Sequence, residues 1–149
     1  MNYLIRQAKI TDAGAICNLN IQELGYRYPL SKTIDKLKVI LNSANDIVLV
    51  AEYGKIIVGY IHACNYDVIY APSVKNIMGI AVDEKYKRNG IGTALLKAVE
   101  TWAKENGAGG VRLASGSTRV NAHNFYTVQG YKCDKTQLRF IKYFNGVVD

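Results

Sequence analysis

The segment Ile80-Ala81-Val82-Asp83-Glu84-Lys85-Tyr86-Lys87-Arg88-Asn89-Gly90-Ile91-Gly92-Thr93-Ala94-Leu95-Leu96 constrains the fold more than any other stretch of the chain. It opens as a short apolar run of the kind that ends a buried strand, crosses a charged turn, and reaches Gly90-Ile91-Gly92 where helical periodicity begins. A strand, a loop and a helix follow in that order. At such a junction the first backbone N–H groups of the helix lack internal partners, and the aligned peptide dipoles leave positive potential there. A phosphate suits that end. Gly90 and Gly92 remove side chains that would hold an anion away from the backbone, and Lys85, Lys87 and Arg88 add positive charge beside it. The loop lacks the full Walker pattern, because Thr93 and not Lys follows Gly92. Leu95 stands where a dinucleotide fingerprint would place its third glycine.

The rest of the chain alternates between helical and strand periods. Tyr3 to Ala8 reads as a first strand. Thr11 or Asp12 supplies an N-cap for a helix carrying Ala15, Ile16, Leu19 and Leu24, which ends near Gly25. Ser31 or Thr33 caps a second helix with Ile34, Leu37, Ile40 and Leu41 on its stripe. Two β-branched runs, 47–53 and 56–64, flank Gly54-Lys55 as a hairpin, and a third strand, 74–82, enters the glycine loop. Beyond the loop come a helix with Leu95, Ala98, Val99 and Trp102 on one face, a strand at 110–115, and a fourth helix from Ser117 or Thr118 to about Gln129. Two last strands are expected at Tyr131–Asp134 and Gln137–Phe144. The order β-α-α-β-β-β-α-β-α-β-β predicts an α/β fold, a mixed sheet flanked by helices, as a single domain over residues 1–149.

Composition narrows the class. With 49% hydrophobic residues the chain can build one core, yet no apolar run approaches the roughly 20 residues that span a bilayer. The first residues lack a secretory leader, so a cytoplasmic protein with no membrane partner is expected. Cys17, Cys64 and Cys133 show no metal-ligand spacing, and no metal site is expected. The net charge of +7 suits an anionic ligand, or a merely solvated basic surface. Nucleic acid is disfavoured, because the basic residues are dispersed without a reader motif.

Lys87-Arg88-Asn89-Gly90-Ile91-Gly92 resembles the acyl-CoA-binding motif of the GCN5-related N-acetyltransferase (GNAT) superfamily, in which Arg or Gln begins a six-residue signature that closes on Gly or Ala. Lys87 departs from that pattern. A second block, Ser115 to Tyr126 followed by Gly130-Tyr131, resembles the next conserved block of the same superfamily through Ala122, Tyr126 and the Gly-Tyr turn. Arg119 stands where the family often has Asn. The element order is also that of the superfamily, and the resemblance extends over essentially the whole chain.

The resemblance implies an acetyl-CoA-dependent N-acetyltransferase that moves an acetyl group directly from acetyl-CoA to a primary amine of a small molecule or protein. A non-catalytic acyl-CoA-binding or sensing module is the alternative. By that resemblance acetyl-CoA is the acyl donor, held by Lys87, Arg88, Asn89, Gly90, Ile91, Gly92 and Thr93 at its pyrophosphate and by Ile80, Ala81 and Val82 along the strand. Tyr126 would lie near the thioester sulfur and protonate the departing thiolate. Amide formation also needs a neutral amine and a stabilised oxyanion. Glu52, Asp67, Asp83 and His123 are chemically capable bases, but Asp83 suits the turn, His123 and His62 suit structural hydrogen bonds, and the sequence names no base. Tyr26, Tyr28, Tyr60, Tyr66 and Tyr70, among 11 tyrosines, fall where the family lines its acceptor cleft. The resemblance is compatible with a homodimer and leaves the amine open.

Overall fold

The turn at Gly54-Lys55 joins the second and third strands of the sheet in the computed structural model, which describes residues 1–147. Gly54 takes the left-handed conformation, φ 63°, that a tight hairpin demands and that side chains resist. Five strands line up in sequence order: β1 (Leu4–Gln7), β2 (Asp46–Tyr53), β3 (Ile56–Tyr66), β4 (Val74–Val82) and β5 (Val111–Leu113). The first four are antiparallel, and β5 joins β4 in parallel. The sheet is therefore mixed, as its interleaved hairpins and helices require.

Helices α1 (Ala13–Leu19) and α2 (Leu30–Leu41) lie on one face and α3 (Ile91–Glu105) on the other. Alternation along the strands explains the division. Val48, Val50, Tyr60 and Ala81 point into a cluster with Ile16, Leu19 and Leu37 from the helices. Gly59, one residue off that register, lies directly under Ile91 and Leu95 of α3. Ile91, Leu95, Leu96 and Val99 recur at helical spacing and are sealed from solvent.

Several element boundaries differ from the sequence expectation for identifiable reasons. The first helix does end at Gly25, φ 76°, but its last part, Asn20–Leu24, is a π-helical turn. Neither Ser31 nor Thr33 caps α2. Pro29 does, because its fixed φ suits a helix start, and the Thr33 hydroxyl instead donates to the Pro29 carbonyl at 3.0 Å. Arg119, not Ser117 or Thr118, precedes α4 (Val120–Val128).

The chain divides into two compact units, Met1–Ala114 and Ser115–Asp149, and the sheet belongs wholly to the first. In the second, α4 is the regular element among the described residues, and the strands expected at Tyr131–Asp134 and Gln137–Phe144 are absent. Leu138, Phe140 and Phe144 stay exposed. Strand propensity expresses the fit of a side chain to a pleated, half-buried surface, and with no ladder partner the alternation of 137–144 does not produce a strand.

Candidate active site

The loop after β4 is built by local hydrogen bonds. Asp83 accepts from the Lys85 N–H at 3.0 Å and starts a single 3-10 turn, Glu84–Tyr86. The Asn89 side chain then donates to the carbonyls of Tyr86 (2.9 Å) and Lys87 (3.2 Å), drawing the chain back on itself. Two residues adopt left-handed backbone here, Gly90 at φ 76° and Arg88 at φ 67°. For a non-glycine residue that conformation costs on the order of 1–2 kcal/mol, so the turn is held by its surroundings. No side chain caps α3. The N–H groups of Ile91 and Gly92 accordingly have no intrahelical acceptor and carry the positive end of a long helix. Ile91 contributes only this main-chain donor, because its side chain is core. Thr93 lies half-buried on the same turn.

Lys87 is not the mobile charge that the sequence suggests. Its Nζ lies 2.8 Å from Glu84 and 3.4 Å from Glu23, and the Glu84 bond with the further pull of Glu23 raises its pKa despite some desolvation. Glu23 sits on the π-helical turn and also accepts the Glu84 N–H at 3.1 Å. One carboxylate thus anchors the glycine loop to the helical layer.

β4 itself offers an unpaired edge. β5 pairs with it only at Lys75, Asn76 and Ile77. On the other side the Asp83 N–H bonds the Val58 carbonyl, and the register continues through Ala81 with Tyr60 and Gly79 with His62. Main-chain groups alternate in direction along an antiparallel strand. Those of Gly79 and Ala81 turn toward β3, and those of Ile80 and Val82 turn toward the edge that β5 leaves unpaired. Of Ile80, Ala81 and Val82, the first and last turn main-chain groups to that edge and Ala81 turns its own to β3.

A cavity of about 150 Å³ opens on the α1/α2 face, lined by Asn20, Tyr28, Lys36, Tyr60 and His62 over an apolar floor. The Tyr60 hydroxyl donates to Asn20 Oδ1, and burial pushes the phenol up to about 12, only partly offset by that bond. It lies 3.2 Å from where a Cβ on Gly79 would be, so any larger residue there would press on the phenol. His62 Nε2 is 2.7 Å from Asp46 Oδ1 across the β2–β3 pair. The other bases considered lie elsewhere: Glu52 is ion-paired to Arg6 at 2.8 Å, and Asp83 is spent on its turn. Tyr66 stacks under Arg112, and Tyr26 and Tyr70 are largely exposed.

In the second unit, Tyr126 packs its ring against Phe125 (5.4 Å between centroids) and Tyr131 (6.2 Å). Burial raises its pKa, with Arg119 acting in the opposite sense. His123 is committed to the Gly116 carbonyl at 2.8 Å. Gly130, at φ 92°, closes the helix. Among the described residues there is no group of three His, Cys, Asp or Glu able to hold a metal, and no helix long and apolar enough to cross a membrane.

The sequence pointed to the loop but missed the Glu23 anchor, the Tyr60–Asn20 bond and the His62–Asp46 pair. All three join residues distant in sequence, and periodicity carries no signal for them.

Comparison with known proteins bears on the fold and the family. A rice protein (Oryza sativa subsp. japonica), the acetyl transferase GW6a, is 36% identical over 100 residues, which cover 59% of this chain but 23% of that protein. The chain thus spans about a quarter of the length of that curated relative. A solved transcriptional regulator from Bacillus halodurans C-125 shares the fold with a TM-score of 0.85 at 23% identity, covering 95% of this chain and all (100%) of the other. The aminoglycoside antibiotic 6'-N-acetyltransferase AAC(6')-Ih from Acinetobacter baumannii gives 0.84 at 18% identity, covering 97% and 100%. The profile of the acetyltransferase (GNAT) family matches residues 15–131, well over half of the chain. This chain belongs to the acetyltransferase (GNAT) family.

Proposed function

We propose that the chain is an acetyl-CoA-dependent N-acetyltransferase that transfers the acetyl group directly to a primary amine. The observation that carries this reading is the pairing of two backbone features in one unit. The uncapped start of α3, behind the left-handed turn at Arg88 and Gly90, suits a pyrophosphate. The edge of β4 at Ile80 and Val82 suits the amide-bearing arm of the same donor, and one of its N–H groups suits the developing oxyanion.

Arg88 supplies charge beside the pyrophosphate, and Asn89 and Gly90 hold the turn open. Lys87 steadies the loop through Glu84 and Glu23 rather than touching phosphate. Tyr126 is the proton donor to the departing thiolate. Support for that role comes from its place in the second family block and from the phenol itself, which is protonated at neutral pH and can donate. Among acceptors, an aminoglycoside or another small polyamine fits best with the solved relatives, one of which was captured with a CoA–acetylneamine bisubstrate analogue.

Calorimetric titration with acetyl-CoA tests the reading, wild type beside Gly92→Glu, whose carboxylate would crowd and repel a pyrophosphate. Binding by the wild type and its loss in a folded variant is the expected result. Tyr126→Phe should bind acetyl-CoA normally and lose turnover. Full turnover in that variant would favour a donor-binding module without phenol-dependent chemistry, and a folded wild type that fails to bind would overturn the proposal.

A further inference from the structure

We propose that His62, oriented by Asp46, is the general base that deprotonates the amine acceptor, an assignment that rests on the transferase reading above. Three observations place it. Asp46 Oδ1 lies 2.7 Å from Nε2, so the carboxylate accepts the Nε2–H and selects the tautomer whose Nδ1 carries a lone pair. Nδ1 has no hydrogen-bond partner among the described residues. Both side chains retain 18% of their exposure, which leaves the ring reachable from the cavity it lines.

The third observation is register. His62 is paired with Gly79 on β4, and paired residues of antiparallel strands present their side chains on the same face. Gly79 has no side chain, and the Tyr60 hydroxyl lies 3.2 Å from the point where its Cβ would stand; the next residue, Ile80, turns its main chain to the edge that β5 leaves unpaired. An amine entering the cavity could therefore meet the base and approach that edge past the Tyr60 hydroxyl, with no Gly79 side chain in the way. The Tyr60 hydroxyl, fixed by Asn20, borders the same gap.

The step balances as follows. The acceptor arrives as R–NH3+ and gives one proton to Nδ1. Its freed lone pair forms the N–C bond at the thioester carbonyl, the nitrogen loses a second proton to solvent, the C–S bond breaks, and the sulfur takes a proton from Tyr126. The imidazolium then releases its proton to water, and the phenol is reprotonated. One proton is released per acetyl group transferred.

The groups facing the ring from each packed element are few. Asp46 from β2 brings a carboxylate and Lys36 from α2 an ammonium. Tyr28 precedes α2, Tyr60 and Cys64 flank the ring on β3, Gly79 on β4 adds no charge, Ile16 of α1 is apolar, and Asn20 of the π-helical turn brings an amide.

The test compares wild type, His62→Gln and Asp46→Asn, with neamine, spermidine and a lysine peptide as probe amines, thiol release as the rate assay, and acetyl-CoA titration as the control. His62→Gln should bind acetyl-CoA as wild type does, lose roughly 10²- to 10⁴-fold in kcat/KM, and lose the acid limb of the kcat/KM–pH profile. Asp46→Asn, a positioning change, should lose less in kcat/KM and keep the acid limb that His62→Gln loses, because the base is still present but no longer held in one tautomer. Wild-type rate and pH profile in a His62→Gln protein that binds acetyl-CoA would overturn the base and leave the transferase intact. Failure of the wild type to bind acetyl-CoA, or to acetylate any probe, would overturn both.

Discussion

Gly59→Ala is the substitution whose consequence can be worked furthest from the packing. Gly59 lies on β3 beneath the first turn of α3. An added Cβ would stand 3.1 Å from the Ala81 carbonyl oxygen, 3.2 Å from Ile91 Cγ2 and 3.4 Å from Leu95 Cδ1. The carbonyl belongs to the sheet ladder and cannot yield, so Ile91 must, and Ile91 is the first residue of α3. Overpacking of this kind costs about 1–3 kcal/mol. Loss of glycine's freedom in the unfolded chain returns about 0.4–1 kcal/mol. A net destabilisation of roughly 1–2 kcal/mol follows, which for a chain of this size lowers Tm by about 2–8 °C. Lifting the start of α3 also moves the N–H groups proposed to hold the pyrophosphate, so acetyl-CoA should bind more weakly than the stability loss alone explains. Calorimetry of unfolding and acetyl-CoA titration read the two effects separately. Gly14→Ala is the control: it lies in α1 with no atom within 4 Å of its added Cβ, and should stabilise by about 0.5–1 kcal/mol. A Gly59→Ala protein with unchanged or higher Tm would refute the close helix–sheet approach on which the argument depends.

Two further substitutions test the supports of the site. Asp12 is buried against Arg6 through bonds of 2.8 and 3.0 Å. Burial alone would raise its pKa, but Arg6 and the Lys9 N–H together outweigh burial and hold it below the usual carboxylate value. A depressed folded-state pKa contributes stability above the unfolded value, about 3.9, and that stability fades as pH falls through the folded value. Asp12→Asn should therefore cost about 1–3 kcal/mol in urea unfolding at pH 7, and the gap to wild type should narrow toward pH 3; a gap independent of pH would sink the charge argument. Lys87→Ala removes an ion pair that is half exposed on the lysine side, and such pairs contribute about 0–1 kcal/mol. Acetyl-CoA affinity should then change by less than about fivefold. A loss beyond tenfold in titration would mean that Lys87 leaves its carboxylates to bind phosphate.

What the sequence makes legible is what short-range physics controls. The β2–β3 hairpin declares itself through Gly54, the end of the first helical stretch through Gly25, and α3 through Gly90 and the spacing of Leu95, Val99 and Trp102. The glycine loop is legible for the same reason, since its capping bonds span two or three residues. The π-helical turn at Asn20–Leu24 carries no comparable mark, because a π turn differs from an α turn by one residue of hydrogen-bond offset. The pattern of 137–144 misled, because alternation describes a face and says nothing of whether a neighbouring strand exists to pair with it.

The site's position follows from two small residues that periodicity treats as defects. Gly59 and Gly79 would each weaken a strand by their backbone entropy. On the β3–β4 pair they thin opposite faces of the sheet within a few residues of each other. At Gly59 the thinning lets α3 lie close enough for its uncapped start to fall beside the end of β4. At Gly79 it leaves the Tyr60 hydroxyl room over the strand and puts no β-carbon between His62 and the edge at Ile80. β5 stops at Ile77's partner, so the ladder ends where both faces are thinnest. A larger residue at either glycine would close one approach while leaving the other, and the two substitutions should separate accordingly: Gly59→Ala weakens donor binding, whereas Gly79→Ala should spare it and raise the KM for the amine. Equal effects of both on acetyl-CoA affinity would mean that the two faces do not serve separate substrates.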